Sequence, residues 1–245
     1  MNTHDALAKI RIVLIHTSHP GNIGSAARAM KTMGLRNLVL VQPKLFPHPE
    51  AEALASGARD LLDAAVLCES LDDALKGTIL AVAATGRHRD LTHEVLPCRE
   101  SCARAMADAQ FGEVAIVFGP ERSGLTVDDI NRCQLLGTIP ADEEYGSLNL
   151  AQAVQVFAYE LRLAAVGATG VRVEQGELVT HEEAEYFFRH LEQAMVFTGF
   201  LDPKQPKRLM QRMRRLFARS RLEREEVNIL RGFLSAVENP PARDK

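Results

Sequence analysis

Ile10-Arg-Ile-Val-Leu-Ile15 runs, after a short polar turn, into His19-Pro-Gly-Asn-Ile-Gly-Ser-Ala-Ala-Arg-Ala-Met-Lys-Thr-Met-Gly34. The first stretch is a nearly unbroken apolar run, the pattern of a strand buried on both faces. The second opens on proline and glycine, carries Asn22 as a capping residue, and closes on glycine, so it reads as a helix. Gly21 and Gly24 do not make a G-x-G-x-x-G spacing, and no G-x-x-x-x-G-K-[ST] follows, which excludes the two common nucleotide fingerprints. What remains is a helix with small residues at Gly24, Ser25, Ala26 and Ala27 and one cation near its start, Arg28. That arrangement suits an anionic group.

Working outward, short apolar runs alternate with helical patterns. Strands are expected at Ile10–Ile15, Asn37–Gln42, Ala65–Cys68, Thr78–Ala83, Val114–Phe118 and Leu135–Ile139. Helices are expected at Asn22–Met33, Glu50–Ala58, Leu71–Leu75, Arg99–Ala109, Val127–Cys133 and Asn149–Ala165. This alternation predicts an α/β fold, a mostly parallel sheet with helices on both faces. Ligands in such sheets sit beyond the carboxyl ends of the strands. Residues 167–176 have three glycines and no period, and read as a linker between a 1–166 domain and a small helical domain, 177–245. Thr180 with Glu183, and Ser220 with Glu223, have the spacing of capping boxes.

Composition narrows the class. The chain has 245 residues, 46% of them hydrophobic, enough for a full core. No apolar run approaches the length of a membrane span, and the N-terminus lacks the basic and apolar regions of a secretion signal. The four cysteines form no C-x-x-C and the eight histidines no H-E-x-x-H, so free thiols in a reducing cytoplasm are expected and no metal is called for. The net charge of −3 does not advertise nucleic-acid binding, but its distribution is uneven. Pro203–Leu222 holds no acidic residue and carries Lys204, Lys207, Arg208, Arg212, Arg214, Arg215, Arg219 and Arg221.

Further strand ends carry glycine loops. Val117-Phe-Gly-Pro-Glu-Arg-Ser-Gly-Leu125 opens at Gly119 and closes at Gly124, with Glu121 and Arg122 side by side. Glycine there lets a ligand or another segment approach the backbone. A tight strand-to-helix connection with a surface ion pair accounts for the same residues. Ile139-Pro140 leads to Tyr145-Gly-Ser-Leu-Asn-Leu-Ala-Gln-Ala-Val154, where Ser147 or Asn149 can cap the next helix. Ala83-Ala-Thr-Gly-Arg87 repeats the theme. These loops lack the lysine and the Mg²⁺-binding carboxylate that an NTPase needs. A glycine-rich, apolar, backbone-lined pocket suits an adenine and a zwitterion better than a triphosphate.

Asn22-x-Gly24-x-x-Ala27-Arg28, Phe118-Gly-Pro-Glu-Arg-x-Gly124 and Ser147-Leu-Asn149 resemble, in order, the three signature motifs of the SPOUT RNA methyltransferases. The resemblance covers about residues 8–165. It implies a sheet whose C-terminal part forms a deep trefoil knot, S-adenosylmethionine as cofactor, and a homodimer with the site at the subunit interface. By this resemblance the cofactor is held by Thr85, Gly86 and Arg87, by Gly119, by Ile139, and by Ser147, Leu148 and Asn149. With its helical appendage, the chain is similar to the branch that methylates the ribose 2′-oxygen of cytidine or uridine at position 32 of the tRNA anticodon loop. Another tRNA position, ribosomal RNA, or a non-catalytic RNA-binding role for the same fold are the alternatives.

In that family setting Arg28 is the residue expected to carry catalysis. An arginine is not a base, since its pKa exceeds about 12. Its fork can instead bind a phosphate, position the 2′-hydroxyl and stabilise the developing alkoxide. The alternative is a surface arginine neutralising a carboxylate. Asn22, Glu121 and Arg122 are candidate RNA contacts. Arg208, Arg212, Arg215 and Arg219 form one stripe if their segment is a single helix, beside Leu209, Met213 and Leu216. That stripe is either a solvated face over a hydrophobic seam or a phosphate-tracking face for tRNA. No aromatic residue lies in it, so backbone contact rather than base stacking is expected.

Overall fold

The computed structural model describes residues 3–86, 94–142, 144–167 and 177–239. The chain divides into two compact units, Met1–Arg172 and Val173–Lys245. The expected linker falls at this division, and residues 168–176 lie outside the described residues; Gly167 belongs to the last turn of a helix.

The first unit contains seven strands among its described residues: β1 Ile10–Ile15, β2 Asn37–Val41, β3 Val66–Cys68, β4 Thr78–Ala84, β5 Val95–Pro97, β6 Glu113–Phe118 and β7 Leu135–Thr138. They form one sheet in the order β3-β2-β1-β6-β4-β7-β5, and every pairing is parallel. Its helices are α1 Thr3–Leu7, α2 Pro20–Met33, α3 Pro49–Ala55, α4 Arg59–Asp63, α5 Leu71–Leu75, α6 Cys98–Asp108, α7 Val127–Asn131 and α8 Leu150–Gly167. Alternate strand residues serve two cores. Ile12, Leu14, Leu40, Val82, Ile116 and Phe118 pack against α2, α6 and α8. Val13, Ile15, Val41, Ala83, Ala115 and Val117 pack beneath α5 and α7. Burial on both faces explains why these strands read as continuous apolar runs.

The expected elements are present, and some were illegible. β5 is a three-residue edge strand ending in proline, too short for a periodicity. The helix expected over 50–58 breaks: α3 ends at Ala55, Ser56–Ala58 is a 3-10 turn, and α4 resumes at Arg59. The small residues of α2 also serve a purpose other than an anion. A Cβ built on Gly24 would lie 2.0 Å from the carbonyl oxygen of Ala51, so glycine is what allows α3 to pack backbone-to-backbone on α2.

The second unit holds α9 His181–Phe197, α10 Leu209–Ala218 and α11 Arg224–Glu238. Phe187, Phe188, Leu191, Leu201, Leu222, Val227 and Leu234 make its core, with Leu209, Met210, Met213 and Phe217 of α10 packed against it. The box at Thr180 and Glu183 caps α9. The box expected at Ser220 and Glu223 is displaced: Glu223 is itself the N-cap of α11 and pairs with Glu226. The apolar seam of α10 also differs from expectation, because Leu216 is 49% exposed while Phe217 takes the inward place. Arg208 and Arg219 occupy the N-cap and C-cap of α10, so the arginine stripe extends one residue past the helix at each end.

Replacing Gly24 by alanine should force α2 and α3 apart and cost about 1–3 kcal/mol, the range for overpacking. Gly57→Ala is the control, since a Cβ there meets nothing. Denaturant unfolding of the two variants should show a lowered midpoint for the first alone.

Candidate active site

Parallel pairing sends the chain out of β1, β6, β4 and β7 at one edge of the sheet, and these four strands are neighbours in that order. The loops that sequence reasoning singled out therefore emerge together. Ser18 and His19 follow β1, Gly119–Glu121 follow β6, Thr85 and Gly86 follow β4, and Ile139 follows β7. Arg87 lies outside the described residues.

The tightest feature of this edge is a set of hydrogen bonds around Glu121. Its carboxylate accepts from the backbone N–H of Ser18 at 3.0 Å, from that of His19 at 3.2 Å and from the Asn22 amide at 2.9 Å. The Asn22 amide oxygen accepts in turn from Asn149 Nδ2 at 3.0 Å, and Asn149 Oδ1 accepts from the backbone N–H of Ala151 at 2.9 Å. One residue from each of the three motifs is thus joined into a single network.

The reason lies in α2. Its N-cap residue is His19, which makes no side-chain cap, and its first turn contains no acidic residue. The Ser18 and His19 N–H groups that lead into the helix, and its positive end, need an acceptor, and Glu121 supplies it from another loop. Asn22 therefore is not the cap of α2, as its sequence position suggested, but the link between Glu121 and Asn149. Asn149 does cap α8. Partial burial acts to raise the Glu121 pKa, yet the Asn22 amide and the Ser18 and His19 N–H groups outweigh it and hold the carboxyl at about 2. The missing cap at His19-Pro20-Gly21 is the sequence signal that could have revealed this partnership.

Asn22 and Asn149 also line a groove of about 430 Å³ between α2 and α8, with Ser25, Arg28, Gln152 and Gln155. Arg28 is the only charged residue among the described residues that line it. It is exposed, and among the described residues its side chain has neither an ion pair nor a hydrogen bond, so no described carboxylate neutralises it.

The other candidates gather at the ends of β6, β4 and β7. Thr85 N–H donates to the Gly137 carbonyl at 3.0 Å, extending the β4–β7 ladder. A Cβ built on Gly86 would lie 3.6 Å from the Gly146 carbonyl oxygen, so the loop carrying Ser147 and Leu148 passes beside Gly86. At Gly119 a Cβ would lie 2.3 Å from the backbone nitrogen of Leu125, so the loop holding Glu121 and Arg122 folds directly over that glycine. Arg122 is exposed. The basic stretch belongs to the second unit: Arg208, Arg212 and Arg219 are exposed, and Arg215 is half-buried. No group of three or more metal-binding side chains is present among the described residues.

A parallel sheet with three glycine- and asparagine-bearing loops at one edge defines a class, and the chain belongs to the SpoU rRNA Methylase family, whose sequence profile matches residues 9–159. Residues 182–245 match the family described as tRNA methyltransferase TrmJ, C-terminal domain. The chain is a member of the TrmJ group. It is 48% identical over 243 residues to the tRNA (cytidine/uridine/adenosine-2′-O-)-methyltransferase TrmJ of Pseudomonas aeruginosa, covering 95% of each chain. It is 48% identical over 241 residues to the tRNA (cytidine/uridine-2′-O-)-methyltransferase TrmJ of Klebsiella pneumoniae, covering 95% of this chain and 97% of that one. The crystal structure of TrmJ from Z. mobilis ZM4 superposes with a TM-score of 0.80 at 34% identity, over 93% of this chain and 98% of the other.

Because Glu121 has its pKa lowered from 4.5 to about 2 on folding, it stabilises the protein above the unfolded value and loses that contribution as pH falls through the folded one. Glu121→Gln should lower stability at pH 7 by about 0.5–2 kcal/mol, the scale of a lost helix cap. Unfolding titrations should show the gap to the wild type closing between pH 4.5 and about 2.

Proposed function

We propose that this protein transfers a methyl group from S-adenosylmethionine to the ribose 2′-oxygen of a cytidine or uridine in the tRNA anticodon loop, at position 32. The observation that carries the reading is Arg28: a guanidinium with no ion-pair partner among the described residues, in a groove of amides. The names of the two curated relatives support tRNA as the substrate.

S-adenosylmethionine, when bound, supplies a methyl group on a sulfonium. Thr85, Gly86, Gly119, Ile139, Ser147 and Leu148 are the described residues that would hold it. They fit that group. Gly86 and Gly146 leave only backbone between two loops, hydroxyls come from Thr85 and Ser147, and Ile139 and Leu148 are half-buried apolar side chains. Strand β7 is inserted between β4 and β5, which are consecutive in the chain; a threaded, knotted connection needs such an order, and the knot belongs to this proposal. So do the homodimer and a cytoplasmic setting, the latter suited to cysteines that are all free.

The chemical difficulty is the nucleophile, a 2′-hydroxyl that must lose its proton as it attacks. Arginine does not serve as the base, so Arg28 acts through its donors and its charge. Helical side chains lean toward the N-terminus, so the fork of Arg28 is carried back over Asn22 and Ser25. There it binds the phosphate next to the target ribose, fixes the 2′-hydroxyl and stabilises negative charge as it develops, while the methyl–sulfur bond breaks to leave a neutral thioether and the hydroxyl proton passes to solvent or to an oxygen of that phosphate. Glu121 acts on Arg28 indirectly, by anchoring the helix that bears it, and is a positioning residue.

Arg28→Ala should leave the affinity for S-adenosylmethionine, read by calorimetry, within about twofold and lower methyl transfer by about two to three orders of magnitude, the scale of a lost oxyanion donor. Arg28→Lys should also be poor, because a point charge lacks the bidentate fork. Nucleoside mass spectrometry of tRNA incubated with each protein and cofactor measures both the rate and the position. Wild-type turnover by Arg28→Ala, or methylation outside the anticodon loop, overturns the assignment.

A further inference from the structure

Two features of the second unit meet where the basic stretch begins. Phe200 is 70% exposed, although Leu201 beside it is buried in the core. Its ring lines a groove of about 480 Å³ together with Asp202, Gln205, Lys207, Arg208 and Arg212. It also lines an adjoining apolar groove with Met195, Phe233 and Val237. Phe200 therefore has an apolar flank on one side and a cationic one on the other.

The charges of that groove are unevenly engaged. Asp202 is occupied, its carboxylate accepting from the Lys204 N–H at 2.8 Å. Lys207, Arg208 and Arg212 are exposed and have no ion pair or hydrogen-bonding side-chain partner among the described residues. Arg214 and Arg224 of the same unit, by contrast, are committed. Arg214 is paired bidentately with Glu185 over the Phe188 ring, and Arg224 is held by Glu183 and Glu177. Three of the cations without a partner lie beside the exposed ring. A ring in water with unpaired cations on its rim matches a planar aromatic group attached to an anion, which is the chemistry of an unstacked nucleotide.

We propose that Phe200 is a stacking platform for one unpaired base of the RNA, with Lys207, Arg208 and Arg212 taking the flanking phosphates. This rests on the tRNA reading above and adds to it a named base-contacting residue in the second unit. Backbone contact alone was the expectation from the arginine stripe; the ring comes from just outside it.

The test uses the full chain with two probes, an unmodified tRNA transcript and a single-stranded oligouridylate, with binding followed by fluorescence anisotropy. Phe200→Leu keeps an apolar side chain but removes the aromatic face, and should weaken both probes on the order of tenfold. Phe200→Tyr should bind within about twofold of the wild type. Arg208→Gln and Arg212→Gln should each reduce the salt slope for the oligouridylate by about 0.7. Equal affinity of Phe200→Leu and the wild type overturns the proposal. So does a Phe200→Leu defect that tracks loss of self-association in sedimentation, which would make the face a contact between copies. If the wild type and Phe200→Leu bind and methylate tRNA alike, only this inference falls; if the wild type does neither, the functional reading falls with it.

Discussion

The carboxylate of Glu121 sits at the N-terminus of α2, and the geometry of the site follows from that placement. β1 and β6 are paired with Leu14 beside Phe118, so the loops that leave them start as neighbours. One of those loops begins a helix that cannot cap itself, and the other offers an acid. A carboxylate meeting two backbone N–H groups and an amide gains charge-assisted bonds that water would otherwise supply, which is why it stays ionised although partly buried. Asn22 then passes the constraint to Asn149, and Asn149 to the start of α8. Arg28, which has no partner of its own among the described residues, is located by this chain of contacts.

On the proposed function, the arrangement separates two tasks in one sheet edge. The β1–β6 boundary, where helix direction and hydrogen bonds concentrate, holds a cation in place without neutralising it. The β6–β4–β7 ends hold main chain, hydroxyls and small apolar groups, the lining that an adenine and a zwitterion need. Glycine at 119 serves the protein's own loop, since that loop lies where a Cβ would be. An invitation to a ligand and an internal close approach look the same in sequence and differ only in the folded chain.

Much of this was legible because the sheet is parallel and buried on both faces. β1, β2, β4 and β6 announce themselves as apolar runs, and α2, α8 and α9 by period and boundary residues. What was missed shares a physical cause: it depends on partners far apart in the chain. β5 exists because β7 is there to pair with it. The role of Asn22 could not be read as a link because its partners are Glu121 and Asn149. Gly24 looked like part of an anion site because Ala51, which fills the space, is a distant neighbour. Leu216 and Phe217 exchange places because the seam of α10 is set by the aromatic cluster of Phe187 and Phe188, with Phe217 edge-on to Phe187 at 4.9 Å.

A net charge of −3 is no obstacle to binding RNA, and the structure explains why. At physiological ionic strength a charge is felt over about 8 Å, so only the local balance counts. In the second unit Glu185, Glu183 and Glu177 are taken by Arg214 and Arg224, Glu226 by the N-cap of α11, and Asp202 by backbone. Glu177, Glu183 and Glu185 are neutralised in ion pairs, while Asp202 and Glu226 accept from backbone N–H groups. Lys207, Arg208 and Arg212 have no such partner among the described residues, and a phosphate approaching them meets a positive surface whatever the total. The same logic holds at Arg28, where the nearby acid, Glu121, is turned toward a helix end. In both places acids are engaged within the fold while nearby cations have no partner among the described residues.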